Sequence, residues 1–190
     1  MKQRKRILGL VLAALVLLTA CGRDGGADSA GIQESDTEGR VASSSDMAQV
    51  TEVVEQGMVP ISGEQLRDGT YSVTVDSSSS MFQVVDCQLT VENGAMTAVM
   101  TMSGTGYRYV YLGTGEEAAQ APEKEYIPYE EGEDGSHSFT IPVEALDAGI
   151  PCAAFSARKE MWYDRTLLFR ADSLPLEAWQ EGGIPTAETL

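Results

Sequence analysis

The residues of this chain whose types could do chemistry are three cysteines, one histidine, a run of carboxylates and two sets of regularly spaced side chains. Cys87 and Cys152 lie in apolar, strand-like surroundings. In an exported protein such a pair can close a structural disulfide, or stay as two separate buried thiols that behave as small hydrophobes. His137 opens a strand beside acidic turn residues, which suits a solvated or capping role better than a catalytic one. No serine sits in G-x-S-x-G, no cysteine has a histidine at a nucleophile-like spacing, and no Gly-rich phosphate loop joins a strand to a helix. The chain is therefore expected not to be an enzyme. Glu130, Glu131, Glu133 and Asp134 could offer oxygen ligands to calcium, but they lack the D-x-[DN]-x-[DN]-G order and its distant glutamate, so no metal site is expected. Tyr107, Tyr109 and Tyr111 recur at period two and so share one strand face, either as a platform for a planar ligand or as cross-strand packing. Met96, Met100 and Met102, with Ala98, share a face of another strand, and such a row is expected to fill core.

The third cysteine, Cys21, belongs to the element that addresses the protein. Lys2, Arg4, Lys5 and Arg6 form a positive start, Ile7 to Leu18 an apolar stretch, and the small Thr19 and Ala20 stand just before Cys21. This order resembles the lipobox signal peptides of bacterial lipoproteins. The resemblance implies that residues 1–20 are a signal peptide, that Cys21 is lipidated, and that the protein is anchored at the extracellular face of the cell membrane. A plain secretory signal and a membrane-spanning anchor are the alternatives, although about 14 apolar residues fall short of the roughly 20 that cross a bilayer.

Charge narrows the partners. The whole chain carries a formal −16. Residues 1–20 hold four of the 13 basic residues and none of the 29 acidic ones, so the remainder carries 9 against 29, or −20. Nucleic acid is excluded as a partner, since phosphate binding depends on Lys and Arg. Anionic headgroups repel such a chain, so its contact with the membrane would have to be the lipid anchor.

The segment 21–67 contains GRDGGADSAG, ESDTEG and ASSSD, has no aromatic residue, and reads as a flexible acidic linker that buries too little apolar surface to offset its ordering. Within it, residues 47–56 could form one short amphipathic helix. From Asp68 the texture changes to short alternating segments. Thr70 to Val75 reads as a half-buried strand. Cys87 to Val91 and Met96 to Met102 flank Asn93-Gly94, the strongest short hairpin signal, because both residues tolerate positive φ. Further strands are expected at 107–112, 126–129, 137–143, 151–157 and 161–170, with a short helix near 116–120. The spacing predicts an all-β fold, an antiparallel Ig-like β-sandwich of about seven or eight strands over 68–172, preceded by a disordered tether and followed by an irregular tail, 173–190.

Taken in order, DGTYSVTV, SSSSMF, LTVENGAMTAVM, FTIPV and MWYDRTLLF resemble near-iron-transporter (NEAT) domains, Ig-like sandwiches of Gram-positive surfaces that bind haem. They are also similar to a broader group of clostridial lipoprotein modules with the same pattern and no assigned ligand. The haem-binding members use a serine and apolar residues after the first strand, and Tyr-x-x-x-Tyr on a late strand. The resemblance implies ligand contacts from Ser80, Met81 and Phe82, and iron ligation by Tyr163; Leu167 stands where the second tyrosine falls. It implies a lipid-anchored extracellular binding module for haem or another small planar ligand in iron acquisition, delivering to an ABC transporter or other surface partner. The alternative is a cell-surface interaction or structural lipoprotein that binds a partner protein or glycan without haem.

Overall fold

The computed structural model describes residues 40–47 and 49–183, so the signal stretch and Cys21 lie outside the described residues. Ten strands form two five-stranded antiparallel sheets: β1 Gly69–Ser72, β2 Val75–Ser77, β3 Val84–Glu92, β4 Ala95–Met102, β5 Tyr107–Leu112, β6 Ile127–Pro128, β7 Glu130–Glu131, β8 His137–Val143, β9 Gly149–Ser156 and β10 Met161–Phe169. One sheet has the order β1-β3-β4-β8-β7 and the other β2-β10-β9-β5-β6. The all-β sandwich expected from the sequence is the fold. Its strand number exceeds the expectation for local reasons. The stretch Thr70 to Val75 is divided at Val73-Thr74 so that β1 and β2 edge different sheets, and β6 and β7 have only two residues each.

The first sheet shows the alternation a half-buried sheet requires. On β3, Cys87, Leu89 and Val91 point into the sandwich; on β4 the residues are Met96, Ala98, Met100 and Met102, and on β8 Phe139, Ile141 and Val143. The methionine row is core, as expected. Asn93 and Gly94, with φ of 51° and 79°, close the β3–β4 hairpin with Glu92 opposite Ala95. Asp68 supports the turn by accepting from the Asn93 N–H at 2.8 Å.

The second sheet is covered on both faces. Its inner face adds Val110, Cys152, Ala154, Leu167 and Phe169 to the same core. Its outer face carries a second cluster, Ala153, Phe155 and Trp162, closed by Ala118 of the short helix α1, Gly115–Gln120, and by Tyr126. That double cover is why β9 reads as an unbroken apolar run. Thr114 caps α1 with a capping box, its N–H donating to Glu117 at 2.8 Å.

Several expectations are corrected here. The flexible linker does not extend to residue 67. The chain pairs with β10 through Ala42 N–H to Trp162 O (2.8 Å) and Trp162 N–H to Arg40 O (2.7 Å), and Ile61 and Leu146 exchange bonds of 3.0 and 2.9 Å. Ala42, Ile61 and Leu66 are buried, and residues 49–56 form no helix. The tail is irregular but not free, since Leu174, Ala178 and Trp179 enter the main core, and Gln180 N–H donates to Gln65 O at 2.9 Å. Cys87 and Cys152 are separate buried thiols rather than a disulfide. They belong to different sheets, Cys87 opposite Met100 and Cys152 opposite Arg165.

Candidate functional site

The last hairpin, β9–β10, turns at residues 157–160. At this end of the sandwich the turn after β2, Ser77 to Phe82, lies against β10. Ser78 fastens it, donating its N–H to Thr166 O at 2.9 Å and accepting from Thr166 N–H on Oγ at 2.8 Å. Ser77 and Ser79 bond within the turn itself, from Ser79 N–H to Ser77 Oγ and from Met81 N–H to Ser79 Oγ, both 3.3 Å. These are the local side-chain bonds that make serine a turn residue. Phe82 anchors the far end, fully buried and edge-on to Tyr107 with ring centroids 5.0 Å apart. Between these anchors Met81 is 67% exposed.

The four residues expected to meet a ligand are thus divided. Met81 lines a groove of about 300 Å³ with Met102, Tyr107, Ser156 and Arg158. Ser80 lines a different and larger groove, about 540 Å³, with Ser77, Ser79, Glu52, Glu55 and Asp76. Phe82 is core and reaches neither groove. This corrects its expected ligand contact, because a fully buried ring that holds the turn in place has no surface left to offer.

Tyr163 is half-buried on the inward-facing parity of β10, opposite Ala154, and its phenol makes no hydrogen bond among the described residues. The Arg165 guanidinium carbon lies 5.1 Å from the centroid of its ring. Leu167, where a second tyrosine would fall, is wholly buried in the core between Ser77 and Ile150.

Arg165 is a further candidate that the sequence does not single out, although strand parity could have found it. It shares a face with Leu167 and Phe169, and a charge at an inward position is unusual. It is only 6% exposed; Nη1 donates to Asp164 O at 2.7 Å, and Nε has no partner. The Cys152 thiol facing it across β9 is pushed up to about 12 by burial, with Arg165 acting the other way. Burial raises Cys87 to about 12 as well, helped by Asp86. Both thiols are therefore protonated at neutral pH and are not nucleophiles.

Of the two readings of the tyrosine stripe, packing is the one the structure shows, although the three rings do not share a face. A bulge between Tyr107 and Tyr109 reverses parity, so Tyr107 packs on the main core while Tyr109 and Tyr111 join the outer cluster. There Tyr109 donates to Glu123 at 2.9 Å, a bond that pushes its phenol upward. Tyr126 donates to Ala118 O at 2.7 Å and packs 4.9 Å from Trp162. His137 is stacked on Tyr129, with ring centroids 3.7 Å apart. Among the described residues no three His, Cys, Asp or Glu side chains converge to hold a metal ion.

No protein-family model matches the chain, and no curated protein matches its sequence. Among solved structures, the chain is similar to the NEAT5 domain of IsdX2, a B. anthracis hemophore in complex with heme, at 14% identity and a TM-score of 0.42, covering 54% of this chain and 96% of that one. It is also similar to a point mutant of IsdX2-NEAT5 in complex with heme, at 16% identity and the same TM-score, covering 55% and 96%.

Proposed function

We propose that the protein is a non-enzymatic binding module, held at the outer face of a membrane by a lipid on Cys21, whose hairpin end takes haem or another small planar ligand. The observation that carries this reading is the uncommitted phenol of Tyr163, half-buried at the end of the sandwich where nothing among the described residues uses it. Phenolate is a hard oxygen donor suited to ferric iron, and Met81 on the neighbouring turn offers exposed apolar surface to a flat ring. The residues present fit such a group in part: Tyr163 would hold the iron, while Leu167 supplies no second phenol to support it. The non-enzymatic part is supported by two buried, protonated thiols and a lone histidine stacked on Tyr129.

In this role the chain would pass its ligand to a transporter or another surface partner. Titration of the full chain with hemin tests it. A Soret band that saturates at one equivalent and is lost in Tyr163→Phe is the expected result. No band in the wild type ends the haem reading and leaves the interaction lipoprotein, whose partner would engage the larger groove beside Glu52 and Glu55. The anchor is tested separately: Cys21→Ala should abolish labelling by a radioactive fatty acid, and unchanged labelling would refute it.

A further inference from the structure

The described residues contain three ion pairs, and all three belong to Arg170, which meets Glu55, Asp76 and Asp172 at 3.2, 3.5 and 2.9 Å. Arg165, five residues earlier, is far more deeply buried and pairs with no carboxylate among the described residues. A buried guanidinium without a counter-charge is expensive, and proteins seldom retain one without a use. The neglect is notable in so acidic a chain, since none of the acidic side chains among the described residues pairs with it. Its guanidinium lies over the face of the Tyr163 ring, a cation–π contact that offsets only part of that cost, and its other neighbours are neutral or committed elsewhere. Cys152, opposite on β9, is a protonated thiol. Asp164 points to the other face, where Oδ1 accepts from Gly115 N–H at 2.6 Å.

The hydrogen bonds of the guanidinium show which edge is free. Nη1 is spent on Asp164 O. Nε is sealed from solvent and has no partner, and Nη2 has none either but is not among the sealed atoms. The Nε–Nη2 edge presents two parallel N–H groups, the fork that matches the two oxygens of a carboxylate. Beside it lies the Tyr163 ring.

We infer that Arg165 is the anchor of a carboxylate-binding subsite beside Tyr163, and that its ligand is a small molecule bearing a planar carboxylate. One oxygen meets Nη2 at the surface. The other reaches Nε once the side chains that seal it give way, so the carboxylate supplies the counter-charge that the fold omits. The subsite stands whether or not the ligand is haem.

Benzoate is the probe, benzamide its neutral control, and thermal melting of the full chain at constant ionic strength the readout. Benzoate should raise the melting temperature by a few degrees in a saturable way, and benzamide should not. Arg165→Met should melt higher than the wild type without ligand, because it removes an unpaired buried charge, and should lose the benzoate response. A guanidinium serving only to pack would instead lower the melting temperature on removal. If Arg165→Met does not fold, Arg165→Lys decides: charge without the fork should shrink the response. No response in the wild type, an equal response to benzamide, or an undiminished response in either variant overturns the inference. Tyr163→Phe keeps the ring and should keep the benzoate shift while losing any Soret band, so the subsite and the haem reading can fail separately.

Discussion

At its C-terminal end β10 runs Leu167, Leu168 and Phe169 into full burial and passes to Arg170, whose guanidinium is shared among three carboxylates. At its N-terminal end the same strand carries Tyr163 with an unbonded phenol and Arg165 with an unbonded Nε. One end commits its polar groups to partners, and the other leaves Trp162 Nε1, the Tyr163 phenol and Arg165 Nε unbonded within four residues. Nine residues of one strand thus contain both a part built for stability and a part that stability alone does not explain. Buried polar groups in folded proteins are nearly all satisfied, so a sealed and unpaired charged nitrogen such as Arg165 Nε asks for an explanation that packing does not give.

The strongest way to break this comparison is at the closed end. Phe169→Ala empties a wholly buried ring site in the main core and should cost about 3 to 5 kcal/mol, read from urea midpoints. A loss below about 1 kcal/mol would mean that this end is not the packed one. The first hairpin offers a milder test, because its stability rests on backbone shape. Gly94 stands at φ 79°, where a β-branched residue is strained, and a Cβ there would also crowd Glu64 Cγ at 3.1 Å. Gly94→Val should cost about 1 to 3 kcal/mol. Neutrality there would put the β3–β4 register in doubt.

How far the sequence discloses these regions depends on whether side chains or backbone hold them. The β3–β4 hairpin is readable because Asn93-Gly94 and the Met96 to Met102 alternation are side-chain patterns. The segment from residue 40 to 67 reads wrongly as linker because it is held by single anchors, Ala42, Ile61 and Leu66, and by backbone bonds to β10 and Leu146 that any sequence could make. The tyrosine stripe fails at one bulge, since an extra residue in a strand leaves no mark on composition. At the candidate site, Tyr163 is reached by resemblance. Arg165 escapes notice when charge is counted over the chain and not followed along strand parity.

The Arg170 network should respond to pH, and only a little. Asp172 lies below its ordinary 3.8 in the fold, chiefly through its hydrogen bond from Arg170 and then through that charge. A carboxyl lowered on folding stabilises fully above its unfolded value, and the contribution drains away as pH falls through the folded one. Melting temperature should therefore hold through neutral pH and fall only below about pH 4. Asp172 is mostly exposed and water screens the pair, so its share is at most about 1 kcal/mol and should shrink in added salt. Asp172→Asn should flatten that part of the profile, and an unchanged profile would show that the Asp172 arm of the network contributes nothing.

The smallest expected effect on stability is the most informative about function. Tyr163→Phe removes one hydroxyl that bonds nothing among the described residues and keeps the ring that packs beside Arg165. Deleting a hydrogen-bonded buried hydroxyl strands its partner and costs about 1 to 3 kcal/mol, whereas an unbonded, solvent-reaching one leaves nothing stranded. Chemical denaturation of this variant should therefore agree with the wild type within about 0.5 kcal/mol. A larger loss would mean that the phenol already has a structural partner, and the two ends of β10 would then be alike. A neutral result joined to loss of ligand binding would separate the two properties on one atom, since the oxygen of Tyr163 would matter to the ligand and not to the fold.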